Sequence, residues 1–137
     1  MDLTQTYPRS PKETLAGLVH IPRMIDKARA SANAALGEYI YPCPLDKIIL
    51  DFLGVTAEEF AKNAEEKEDI PFSRWVEERC RGRNPAEIQS INRLILDRKP
   101  ETETQRKTFL ENVNKINPSR TDVHTWVNLI DLEEGRL

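Results

Sequence analysis

Cysteine is almost missing from this chain of 137 residues, in which Cys43 and Cys80 are the only two. They are too few and too far apart for a disulfide framework or a CxxC metal or redox pair, so reduced thiols are expected. Histidine is equally scarce: His20 and His124 fall in no HExxH or other ligand-spaced cluster, which excludes a His-rich zinc site by count. No metal and no other cofactor is expected. No run approaches the roughly 20 apolar residues that cross a bilayer, and MDLTQTYPRSPKE has no apolar region of the kind a secretory signal needs. A cytoplasmic protein with no membrane role is the expectation. Positive charge is not in excess either, with 20 Lys and Arg against 23 Asp and Glu and a net charge of −3. Without a basic stripe to neutralise phosphates, no nucleic-acid partner is expected.

What is present is the composition of a folded helical protein, 39% hydrophobic and 31% charged, with only five glycines to interrupt it. Its length suits one domain spanning 1–137. Residues 1–10 read as an extended N-terminal arm, and Ser10 with Pro11 offers an N-cap and first turn for a short helix reaching Ala16, stopped by Gly17. Pro22 suits the first turn of a main helix, 22–36, with Ile21, Met24, Ile25, Ala28, Ala32, Ala35 and Leu36 on one face and Gly37 as its end. Pro44 can begin the next, turning Leu45, Ile48, Ile49 and Phe52 inward before Gly54.

Further on, Thr56 and Glu59 make a capping box ahead of Phe60, Ala61 and Ala64, and the acidic run through Asp69 reads as a solvated connection. Phe72, Trp75, Val76 and Cys80 form a stripe; Gly82 breaks it and Asn84–Pro85 restarts a helix facing Ile88, Ile91, Leu94 and Ile95 inward. Phe109, Leu110, Val113 and Ile116 define another, and Thr121 starts a last one with Val123, Trp126, Val127 and Ile130. Trp75 and Trp126 read as core anchors. No segment alternates with period two long enough to claim a strand. The predicted fold is all-α, a compact bundle of seven or eight short helices with no sheet.

The run Ile21–Leu53 concentrates the chemistry. On a helical wheel Met24, Ile25, Ala28 and Ala32 cover one side, while Ala30 and Ala34 lie nearly opposite beside Arg23 and Lys27, so this helix is expected to be covered on two sides. Buried charges must then be paired or must face a ligand. Asp26 stands three residues from both Arg23 and Arg29, the spacing of a simple helix pair. The functional reading instead brings Arg23, Asp26, Lys27 and Arg29 together with Tyr39 and Tyr41 of the following loop, so that an anionic group meets cations and phenols. Tyrosines in such links also serve simply to pack the loop. Cys43, between two prolines at a helix start, suits an N-cap or packing role; the same place can lower a thiol pKa, which keeps a nucleophilic or redox role open.

The segments YPRSPKETLAGL, PRMIDKARA, LGEYIYPCPLDKIILDFLGV and RNPAEIQSINRLIL together resemble the bacterial domain of unknown function family numbered 5069, over most of the chain. The resemblance implies a compact helical domain whose distinguishing residues are Arg9, Pro22, Arg23, Asp26, Lys27, Arg29 and Tyr39. It implies no reaction. Two functions follow from the residues. One is a small-molecule domain, with or without catalysis, that binds an anionic metabolite between helix 22–36 and loop 37–44. The other is a non-enzymatic adaptor or structural protein acting through a protein partner or as a homo-oligomer, in which Arg9 pairs with Asp26 or Glu38 and the ionic run locks the arm onto the bundle.

Overall fold

The structure, a computed structural model, describes residues 1–137. Seven helices follow one another: α1 (Ile21–Ala32), α2 (Pro44–Leu53), α3 (Ala57–Glu66), α4 (Asp69–Arg79), α5 (Pro85–Leu96), α6 (Glu103–Ile116) and α7 (Trp126–Glu133). The mainly helical prediction holds, but the absence of any sheet does not. In place of a helix over Pro11–Ala16 there is a small antiparallel hairpin, β1 (Thr14–Leu15) and β2 (Leu18–Val19), with Thr14 opposite Val19 and Leu15 opposite Leu18. Its two-residue loop, Ala16 and Gly17, has positive φ at both positions, 54° and 79°. That is the backbone of a tight hairpin turn whose twist suits the flanking strands. Asn92 of α5 completes the hairpin from outside, its Oδ1 accepting from the Val19 N–H at 3.0 Å and its amide donating to Gly17 O at 2.9 Å.

Local caps set most helix starts. Thr56, Asn84 and Thr102 each accept from the backbone N–H three residues on, with Glu59, Glu87 and Gln105 reaching back to complete the boxes. Helix α3 continues to Glu66 and α4 begins at Asp69, so the acidic run is largely helical rather than a connection. The last helix starts later than predicted, with Thr125 as its N-cap. Helix α1 ends four residues early: Ala34 takes φ 52°, and the N–H groups of Ala34 and Ala35 return to Ser31 O and Ala30 O. This is a left-handed C-terminal cap that closes the helix well before Gly37.

Helix α1 lies at the centre and is buried on both sides, as the two-sided pattern predicted. Met24, Ile25 and Ala28 join a core with Leu18, Ile49, Leu53, Phe60, Phe72, Val76 and Ile95, while Arg23, Lys27 and Ala30 are buried as well. Phe60, Phe72 and Trp75 meet edge to face with centroids 5.0–6.2 Å apart. A second, smaller cluster of Phe109, Val113, Val123, Leu129 and Leu132 joins α6 to α7, with Trp126 against it. Leu94, Leu110 and Ile116, expected to face inward, are 51%, 59% and 43% exposed. Helices α5 and α6 are covered on a narrower stripe than their apolar residues would allow. Residues 1–10 turn over Asp2–Thr6 and lay Leu3, Pro8 and Ser10 into the body, with Leu3 N–H donating to Ala35 O.

Candidate functional site

Because α1 is covered all round, each of its charged side chains must find a partner, and each finds it in a different part of the chain. Asp26 receives Arg9 of the arm: its two oxygens accept from the Arg9 backbone N–H at 2.8 Å, Nε at 3.1 Å and Nη2 at 3.1 Å. Arg9 also reaches Asp69 at the start of α4, at 2.6 Å. Arg29 caps the end of α3 through Ala64 O and Lys67 O and lies 3.4 Å from Asp69.

Arg23 turns toward α7 and grips Glu134 with both terminal nitrogens, at 2.8 and 2.7 Å, a bidentate pair almost out of solvent. Tyr39 donates its hydroxyl to the same carboxylate at 2.9 Å and lays its ring beside the guanidinium, 5.3 Å from centroid to carbon. Burial and Glu134 push the Tyr39 phenol above its ordinary range, so it remains a donor. Burial works to raise the Glu134 carboxyl, but Arg23, Tyr39 and Arg136 outweigh it and hold it low. Arg136 continues the network to Asp131, which accepts from Ser10, and to the carbonyl of Pro8.

Lys27 turns the other way. Its ammonium donates to Asp46 of α2 at 2.7 Å, to Ile40 O at 3.0 Å and to the Cys43 sulfur at 3.3 Å. Asp46 is wholly buried and also bonds His20 Nε2 at 2.6 Å. Its other task is local, accepting from the Cys43 N–H at 2.9 Å as the acid of the α2 capping box. Burial alone would raise the Asp46 carboxyl; His20, Lys27 and the Cys43 amide more than offset it and hold the pKa at about 2. Burial lowers the His20 pKa below its usual value despite Asp46, so the imidazole is neutral with its proton on Nε2. The bare Nδ1, buried with no partner, agrees with that tautomer, since a lone pair without a partner is cheaper to bury than a proton without one. Burial and Asp46 raise the Cys43 thiol, with Lys27 opposing them, and Cys43 stands as the N-cap of α2.

His20, Cys43 and Asp46 offer ligand atoms all within 4.8 Å of one another, the spacing of a small metal site. Lys27 Nζ contacts two of these three groups and supplies there the positive charge that an ion would bring. The cluster is electrostatically complete with its own ammonium.

The six residues singled out from sequence are therefore distributed rather than gathered. Arg23 and Tyr39 share one carboxylate; Lys27 and Arg29 point elsewhere; Asp26 holds the arm; and Tyr41 donates to Ala57 O at 2.7 Å, packing the loop on α3. Their partners Asp46 and Glu134, and His20 beside Asp46, lie outside that set. Asp46 had a local signal, standing three residues after the Cys43 cap, whereas Glu134 lies 111 residues from Arg23 and gives none.

Arg23 and Tyr39 border a cleft of about 1020 Å³ between the turn Leu3–Tyr7, Gly37–Tyr39 and the end of α7. Gly37 sits there at φ 60°, and a Cβ added to it would come 3.2 Å from Leu3 O, so the close approach of arm and loop needs glycine. Glu38, Glu133 and Glu134 line this cleft with Arg23, and of the three only Glu134 is paired, to Arg23 and Arg136. Burial and the neighbouring Glu134 raise the Glu133 carboxyl, which forms no ion pair. No helix of the protein is long and apolar enough to cross a membrane. No curated protein matches this chain. Residues 5–136 match the family model described as Domain of unknown function (DUF5069), and the chain belongs to that family.

Proposed function

We propose that this protein is a small-molecule binding domain whose site is the cleft between the Leu3–Tyr7 turn, Arg23 and Tyr39, and the end of α7. The observation that carries the reading is the cleft of about 1020 Å³ walled by an already formed polar network, Arg23, Glu134 and Tyr39. Fixed polar groups at the wall of a concave opening are what orient a bound ligand, because they need no reordering when it arrives. The expected anionic partner fits this cleft poorly. Arg23 and Lys27 already hold carboxylates of their own, while Glu38 and Glu133 have no cation. The charge balance favours a ligand bearing an ammonium or several hydroxyl donors. Tyr39 and Arg23 position Glu134, which leaves Glu133, with Glu38 beside the same cleft, to meet the cationic group.

Calorimetric titration of the protein with a panel of small primary amines and their matched carboxylates tests this. Amines are expected to bind, and Glu133→Gln, which disturbs no pairing, is expected to weaken them tenfold or more with an unchanged melting temperature. Amines that do not bind, or that bind indifferently to Glu133→Gln, would refute the reading. A second reading, a structural or adaptor role, is favoured by one observation, the three-bond clasp of Arg9 on Asp26 that ties the arm to α1. Asp26→Asn separates the two, since lost stability with intact amine binding assigns the ionic run to architecture.

A further inference from the structure

A second and smaller cleft, of about 350 Å³, opens between the start of α2 and the turn that joins α5 to α6. We propose that it binds a small aromatic carboxylate, with Arg98 and Lys99 holding the acid group and Trp126 meeting the ring. This site adjoins the cleft of the proposed function, Ile130 lining both, and is opposite to it in charge.

The cations carry the inference first. Arg23, Lys27, Arg29 and Arg9 are each committed to a carboxylate, whereas Arg98 and Lys99 stand on the rim of this cleft and enter no ion pair. One acid, Glu101, shares the rim without bridging to either, which leaves the opening with an excess of one positive charge. Cys43 adds no negative charge to the opposite wall, because its burial beside Asp46 keeps the thiol protonated. A planar guanidinium next to an ammonium suits a carboxylate, which it can meet with two parallel N–H bonds.

The walls decide what the rest of the ligand is. Pro44, Leu45 and Ile130 give apolar surface, and the half-buried Trp126 lines the same space, its ring braced edge to face on Phe109 at 5.2 Å. The Trp126 backbone N–H donates to Arg98 O at 3.1 Å, so the aromatic wall and the cationic rim are tied together before any ligand arrives. An apolar, ring-sized space with charge of one sign at its edge selects an organic anion over a bare one.

Benzoate is the probe. In Trp75→Phe protein, in which Trp126 is the single tryptophan, benzoate is expected to change the fluorescence saturably. Benzylammonium, of the same shape and opposite charge, is expected to leave that fluorescence unchanged when Glu133→Gln has removed its binding in the larger cleft. Arg98→Gln combined with Lys99→Gln should weaken benzoate tenfold or more, while Glu133→Gln leaves it unchanged and so keeps this site distinct from the larger cleft. If Trp75→Phe does not fold, amide shifts mapped on the natural sequence replace the fluorescence, with Leu45, Lys99 and Trp126 expected to move. Three results overturn the proposal: no response, equal binding by the double variant, or inorganic phosphate binding as tightly as benzoate, which would reduce the cleft to a plain anion site.

Discussion

His20 is buried to 1% exposure with its Nε2 against Asp46 and its Nδ1 unpartnered, and that position fixes how the protein responds to acid. Its pKa in the folded state lies below the ordinary 6.5 because burial disfavours the imidazolium more than Asp46 favours it. As pH falls, the unfolded chain therefore binds the proton first, so this contribution to stability is complete above about 6.5 and is lost below it. The slope contributed by one such group cannot exceed about 1.4 kcal/mol per pH unit. Urea midpoints measured from pH 7.5 to 5 are expected to fall for the natural sequence and to stay flatter for His20→Gln, which keeps a donor for Asp46 but does not titrate. A second loss belongs to Asp46, held at about 2 against an ordinary 3.8, and sets in below pH 4. Equal slopes for both proteins between pH 6.5 and 5 would show that His20 takes up its proton equally in the folded and unfolded states.

Among the elements, what was legible and what was not divides by distance along the chain. The caps at Thr56, Asn84 and Thr102 span three residues, so residue types alone reveal them. The hairpin escapes such reading, because strands of two residues show no alternation and the group that stabilises Val19 N–H is Asn92, 73 positions away. The end of α1 escapes for a chemical reason. Its C-terminal cap uses Ala34 at φ 52°, where glycine is the usual occupant, and Gly37 downstream draws the eye instead. An alanine held left-handed is strained by about 1–2 kcal/mol, and glycine there regains this less about 0.5–1 kcal/mol of added freedom in the unfolded chain. Ala34→Gly is accordingly expected to stabilise the protein by up to about 1 kcal/mol in urea denaturation, an unusual direction for a glycine substitution. Destabilisation would mean that the left-handed turn carries little strain.

For the whole molecule, the helical class and the double covering of α1 were legible because both follow from periodicity. The site was not, since the partners of Arg23, Asp26 and Lys27 come from α7, the arm and α2, and periodicity says nothing of which element covers which side. This arrangement also predicts uneven stability. Helices α6 and α7 have their own small core, and α7 is tied to the main one by Val127 and Ile130, by the Ser10 bond to Asp131 and by the clasp of Arg23 on Glu134. Arg23→Met removes a doubly bonded charge from Glu134, at a cost of about 2–3 kcal/mol. By native-state hydrogen exchange, amides of Phe109 and Val113 are expected to exchange faster in this variant while those of Ile49 and Leu53 keep their protection. Equal acceleration everywhere would mean one cooperative unit. The same clasp has a consequence during synthesis. Arg23 is made 111 residues before Glu134, so at about 5–20 residues per second the guanidinium waits roughly 5–20 s for its partner. Until then, the helix at the centre of the finished protein cannot be closed over, and it belongs to the nascent chain's exposed surface, where chaperones act.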